Sequence, residues 1–143
     1  MKILLLIIIF IGIPLVLLGK WTCARPFNRR KSLSDEELFT LFNFSILVDF
    51  QTWKRLMRLI GDCYSVRVEK LRPDDSFYGN LARLDSWNLG DGSEYLAEGL
   101  QKDFGVTLTF SEREKITTIQ DLIEFIGKVG GKLGGNSGSV LNT

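Results

Sequence analysis

Between Lys2 and Lys20 the chain carries no charged side chain, and its run of leucine and isoleucine is interrupted mainly by Gly12 and Pro14. A helix rising about 1.5 Å per residue needs roughly 20 apolar residues to cross a bilayer core. The stretch 3–19 is at the short limit, which Lys20 and Trp21 extend by placing their polar tips at the interface. Because the run has no polar face to turn to water, it reads as a bilayer segment and not as a core helix. Residues 1–21 are therefore expected to form a transmembrane helix or signal anchor. Five cations (Lys20, Arg25, Arg29, Arg30 and Lys31) follow the run, and one lysine precedes it. Positive charge stays on the cytoplasmic side, so the balance favours a retained single-pass anchor with its N-terminus outside. The step Thr22-x-Ala24 keeps a cleaved signal as the other reading. The residues before Cys23 are Lys-Trp-Thr, not the small apolar run of a lipoprotein signal.

The net charge of +1 hides an asymmetry. Residues 1–31 hold six Lys/Arg and no acid, whereas residues 32–143 hold twelve against seventeen Asp/Glu. Residues 22–33 read as a basic juxtamembrane linker whose natural partner is the anionic head-group layer of a lipid bilayer. The acidic remainder is unsuited to a phosphate backbone, which argues against nucleic acid as a partner.

Catalytic chemistry finds little to work with. There is no histidine to act as a base near neutral pH, and no phosphate-binding or dinucleotide fingerprint. Cys23 and Cys63 have no metal-ligand spacing partner, so no metal is expected, and Cys63 reads as a buried thiol. Asp74 and Asp75 are adjacent acids in a loop, a pattern that usually means solvated carboxylates. The protein is not expected to be an enzyme.

Helical signals organise the rest. Ser34-Asp-Glu-Glu37 is a capping box, opening a short helix that carries Leu38, Leu41 and Phe42. Phe44–Val48 is a connection or the start of the next helix. From Asp49 to Tyr64, Phe50, Trp53, Met57, Ile60 and Tyr64 recur at spacings of three and four, with Leu56, Leu59 and Cys63 widening the stripe. Residues 65–83 read as a long connection with a turn at Arg72-Pro73-Asp74-Asp75, pinned by Phe77, Tyr78 and Leu81. A second helix opens at Gly92, capped by Asp91 or Ser93, buries Tyr95, Leu96, Leu100 and Phe104, and ends at Gly105. A last helix starts at Thr118 with Asp121 three residues on, and buries Ile119, Leu122, Ile123 and Ile126. Residues 34–128 are expected to be one small helical domain, and the glycine-rich residues 129–143 a disordered tail.

Over roughly Asp49 to Lys128 this layout resembles the acyl carrier protein family. Asp75-Ser76-Phe77 and Leu81 are similar to the start of that family's long loop. Lys102-Asp-Phe-Gly-Val106 resembles the end of its second helix. The run Glu114-Lys-Ile-Thr-Thr-Ile-Gln-Asp-Leu-Ile-Glu-Phe-Ile126 resembles its short third helix and capped final helix. The resemblance implies an all-α, antiparallel acyl-carrier-like bundle of three longer helices and one short one. It also implies an acyl group held on a phosphopantetheine arm, attached to a serine in an Asp-Ser step where the second helix begins. Counting back from Phe104 by the family's interval puts Gly90 at that point, which has no hydroxyl. Asp85-Ser86 lies about one turn too early, and Ser93 about three residues too late. The step Asn88-Leu-Gly-Asp-Gly-Ser93 is similar to a divergent group of small bacterial proteins that keep the carrier fold without the serine motif.

The expected function is therefore a membrane-anchored acyl-carrier-like domain acting as a non-catalytic interaction module, with no cofactor. Asp91, Glu94 and Glu98 would offer an acidic docking surface on the second helix to a basic protein partner. The alternative is a membrane-tethered carrier bearing phosphopantetheine at Ser86, or less readily at Ser93. The expected place is the bacterial inner membrane, with the domain on the cytoplasmic side.

Overall fold

A computed structural model of the chain describes residues 13–42, 48–85 and 91–134. All regular elements among them are helical: α1 (Ile13–Asn28), α2 (Asp35–Leu41), α3 (Phe50–Tyr64), α4 (Asn80–Asp85), α5 (Gly92–Phe104), α6 (Phe110–Lys115) and α7 (Ile119–Gly134), with a 3-10 turn at Val68–Lys70. The expected all-α class holds. Among the described residues no helix is long and apolar enough to cross a membrane. The first part of the apolar run, residues 1–12, lies outside the described residues, as do residue 43 and all of the Phe44–Val48 connection but Val48.

Caps start and stop these helices where the chain supplies them. Ser34 Oγ accepts from Glu37 N–H at 3.2 Å while Glu37 Oε2 accepts from Ser34 N–H at 2.9 Å, the reciprocal box that opens α2. Asp49 Oδ1 accepts from the N–H groups of Gln51 and Thr52, both at 3.0 Å, and opens α3. Thr109 with Glu112 and Thr118 with Asp121 repeat the device at α6 and α7. Gly105 closes α5 in the left-handed region at φ 63°, where a side chain would be strained.

The packing centre is α3, which lies most extensively against α5. Trp53, Leu56, Met57, Ile60 and Tyr64 are buried on its inner stripe with Leu96 and Leu100 of α5 and Ile119, Leu122, Ile123 and Ile126 of α7. Phe39, Phe42 and Phe50 surround the Trp53 ring with centroids 5.2–5.8 Å from it. Two side chains expected inside are not. Leu41 ends α2 facing out, because the helix stops there and Phe42 turns in instead. Tyr95 is 57% exposed, one residue off the buried Leu96–Leu100 stripe.

Three boundaries also differ from the sequence reading. The basic stretch 22–33 does not behave as a free linker. It is helical through Asn28, Phe27 is buried in the core, and Arg30 binds Asp75. The bundle thus begins before Ser34. At the other end α7 runs on to Gly134, so the first part of the glycine-rich tail is helical, and residues 135–143 lie outside the described residues. The 65–83 connection contains α4, whose Leu81 and Leu84 are buried. Asp75 is not a solvated loop acid. It is 1% exposed, with Arg30, the Arg72 N–H and the Asn80 amide all donating to it.

Loop 73–77 is stitched to the head of α7. Phe77 N–H donates to Thr117 O, Ile119 N–H to Asp75 O and Gln120 N–H to Pro73 O, at 2.9–3.1 Å. This fixes the long loop against the bundle and presents Phe77, Tyr78 and α4 beside the start of α5.

Candidate functional site

The head of α5 is held by a residue from another helix. Asp85, the last residue of α4, accepts from Gly92 N–H at 2.6 Å through Oδ1. The expected caps do not act. Asp91 occupies the cap position, but its backbone is helical (φ −92°, ψ −6°), and its side chain makes no capping bond. Caps normally need an extended backbone to aim the carboxylate at the first turn. Ser93 lies inside the helix, exposed to solvent. Gly92 is buried, and a Cβ there would sit 2.7 Å from Asp85 Oδ1 and 3.0 Å from Cys63 O. Only glycine lets the head of α5 approach the end of α3 this closely.

Beside this head is a cavity of about 270 Å³, walled mostly by apolar side chains: Tyr64, Phe77, Ala82, Leu96, Ala97, Leu108, Ile116 and Leu122. Its exposed lining residues are Ser93, Tyr78 and Arg113, with Asp85 adding a carboxylate. Tyr78 donates its hydroxyl proton to Arg113 O at 2.9 Å and ties α6 to the long loop. The Tyr64 hydroxyl is held protonated by burial, with the charge of Asp85 adding to the effect. Among the described residues lining it, no base is hydrogen-bonded to a nucleophile. The apolar walls of this cavity suit contact with an apolar chain.

The predicted acidic residues lie along the same helix. Glu94 and Glu98 are exposed one turn apart and so share a face, while Asp91 is half-buried at the cap position. No ion pair binds any of the three among the described residues. Ser86, the serine of the Asp85-Ser86 step, and Gly90 lie outside the described residues. Cys63 is half-buried, and burial pushes its thiol up to about 11. Among the described residues no cluster of His, Cys, Asp or Glu could hold a metal ion.

Sequence reasoning missed the cap from Asp85 to Gly92 and the pair of Arg30 with Asp75. Both join positions whose spacing follows no helical or capping pattern. The nearest available signal was Gly92 itself, a poor helix former at a helix start.

The chain is 34% identical over 73 residues to the acyl carrier protein of Thermosynechococcus vestitus (strain NIES-2133 / IAM M-273 / BP-1), a match covering 51% of this chain and 84% of that protein. No family model matches the chain. No solved structure matches it either.

Proposed function

This chain belongs to the acyl carrier protein family, and on that premise we propose that it is a membrane-anchored carrier-like interaction module with no phosphopantetheine arm. Membership points to a carrier and not to a catalyst. The observation that carries the armless reading is the construction of the α5 head. A carrier serine must expose its hydroxyl where the loop meets the second helix, since a modifying enzyme reaches it in trans. Among the described residues, the first position of α5 is Gly92, which has no hydroxyl and packs against Asp85 and the Cys63 carbonyl, with Asp85 engaged in capping. Asp85 ends α4, and α5 begins at Gly92.

Docking would use the exposed start of α5, where Glu94 and Glu98 present unpaired charge to a basic partner. Such charges speed and orient encounter more than they tighten it. Reversing Asp91, Glu94 and Glu98 to lysine should abolish recovery of the partner from source membranes while leaving the thermal melt cooperative. Recovery unchanged by the reversal would remove α5 as the docking surface. Anchoring rests on the apolar run before Lys20 and the cations after it.

A second reading is favoured by the apolar cavity beside Ser93. The alternative is a membrane-tethered acyl carrier with its arm at Ser86 or Ser93, its thioester-linked chain lying against that apolar cavity.

A further inference from the structure

Helix α1 exposes apolar side chains right round its axis. Ile13, Leu15, Val16, Leu17, Leu18 and Trp21 are each about half exposed or more. Successive residues turn by about 100°, so these positions point in every direction. A helix made for a protein groove is apolar on one stripe, whereas one apolar on all sides suits lipid. Below this surface the fold gathers cations from two distant parts of the chain. Arg72 donates to Lys31 O at 2.6 Å, and Lys70 donates to Arg30 O and, at 3.5 Å, to Asn28 O. Those acceptors are neutral carbonyls, so these bonds bring no opposing charge to Lys70 and Arg72 beside Arg25, Arg29 and Lys31. Arg30 and Arg67 are instead balanced by Asp75 and Glu69. Asp74, close enough to act on Arg30, opposes this charge.

We propose that this collar of Arg25, Arg29, Lys31, Lys70 and Arg72 seats the domain on anionic lipid head groups, with the 68–72 turn facing the bilayer. The inference rests on the membrane-anchor reading above and adds to it a fixed pose. Two observations argue against a domain swinging on a tether. Phe27 anchors the end of α1 in the core, and Arg30 grips Asp75 with both guanidinium nitrogens at 2.7 and 2.8 Å. The reach is sufficient. Asn28 lies about 10 Å along the helix from Trp21, roughly one Debye length at 0.1 M salt, and lysine and arginine side chains close part of that gap. Arg25 already stacks over the Trp21 ring at 5.0 Å, at the level where indoles meet head groups.

The test uses the full chain reconstituted into phosphatidylcholine vesicles, with or without phosphatidylglycerol. Acetylation of Lys70 is compared with that of Lys102 on α5 by peptide mass spectrometry, and flotation reports anchoring. An anionic surface potential near −30 mV lowers the free-amine fraction of a lysine at its surface about threefold. Lys70 acetylation relative to Lys102 should fall by about that factor on phosphatidylglycerol vesicles at low salt. It should recover in about 1 M salt, and in an Arg29→Glu/Lys31→Glu variant that still floats. An equal ratio on both vesicle types, with the protein floating on both, overturns the seating and leaves the anchor standing. Failure to float on either overturns the anchor, and the seating with it.

Discussion

Arg30 and Asp75, 45 residues apart, form a two-pronged ion pair in which the carboxylate is buried and also accepts from the Arg72 N–H and the Asn80 amide. The pair raises the Arg30 pKa above its ordinary value, chiefly through the hydrogen bond to Asp75. It locks the segment after α1 to the loop before α4, and so makes the N-terminal helix part of the domain. Truncating Arg30 to alanine strands a buried carboxylate and should cost about 3–5 kcal/mol in urea unfolding. Replacing both partners with apolar residues of similar volume should cost much less. A loss under about 1 kcal/mol for Arg30→Ala would show that the clamp does not hold the two parts together.

Leu100 is fully buried where α5 meets α3. Leu100→Ala should lower stability by about 2–5 kcal/mol through lost burial and the cavity left behind. Chemical denaturation of the two proteins side by side measures it.

Asp49 caps α3, and hydrogen bonds from the Thr52 hydroxyl first and the Thr52 N–H second hold its carboxyl below the usual carboxylate range. A depressed folded pKa stabilises above the unfolded value, about 3.9, and that stabilisation fades as pH falls through the folded one. Asp49→Ala should therefore cost about 1 kcal/mol at pH 7, and the gap between variant and parent should close towards pH 2. A pH-independent gap would contradict the capping role.

The Cys63 thiol, pushed up to about 11 by burial and then by the charges of Asp62 and Asp85, should be thiolate in only about one molecule in a thousand at pH 8. Its alkylation in the folded protein should be far slower than after unfolding. The raised value also means that its stabilising contribution, complete below the unfolded thiol pKa, is lost as pH rises towards 11. Site-resolved alkylation by mass spectrometry checks the first point and high-pH melts the second.

Local patterns carried most of the fold. The Ser34-Glu37 and Thr118-Asp121 caps, the α3 stripe and the Gly105 stop each lie within a few residues, where spacing alone fixes geometry. Long-range pairing was not legible. Nothing near Asp75 announces that Arg30 will bury it, and nothing near Asp85 that it will cap α5. The same blindness made residues 22–33 look like a linker, since a basic run after an apolar one reads as surface until Phe27 is seen in the core. At the candidate site the exposure of Glu94 and Glu98 was readable from the register of α5, and the half-burial of Asp91 was not. The cavity, assembled from five helices and the loops between them, was not.

The armless reading of the α5 head is most directly tested by intact mass. The full chain is incubated with coenzyme A and a broad-specificity phosphopantetheinyl transferase, beside a carrier protein known to be modified. The account predicts an unchanged mass while the control gains its arm. A gain of one phosphopantetheine, abolished by Ser86→Ala or Ser93→Ala, would contradict it and make the protein a working acyl carrier.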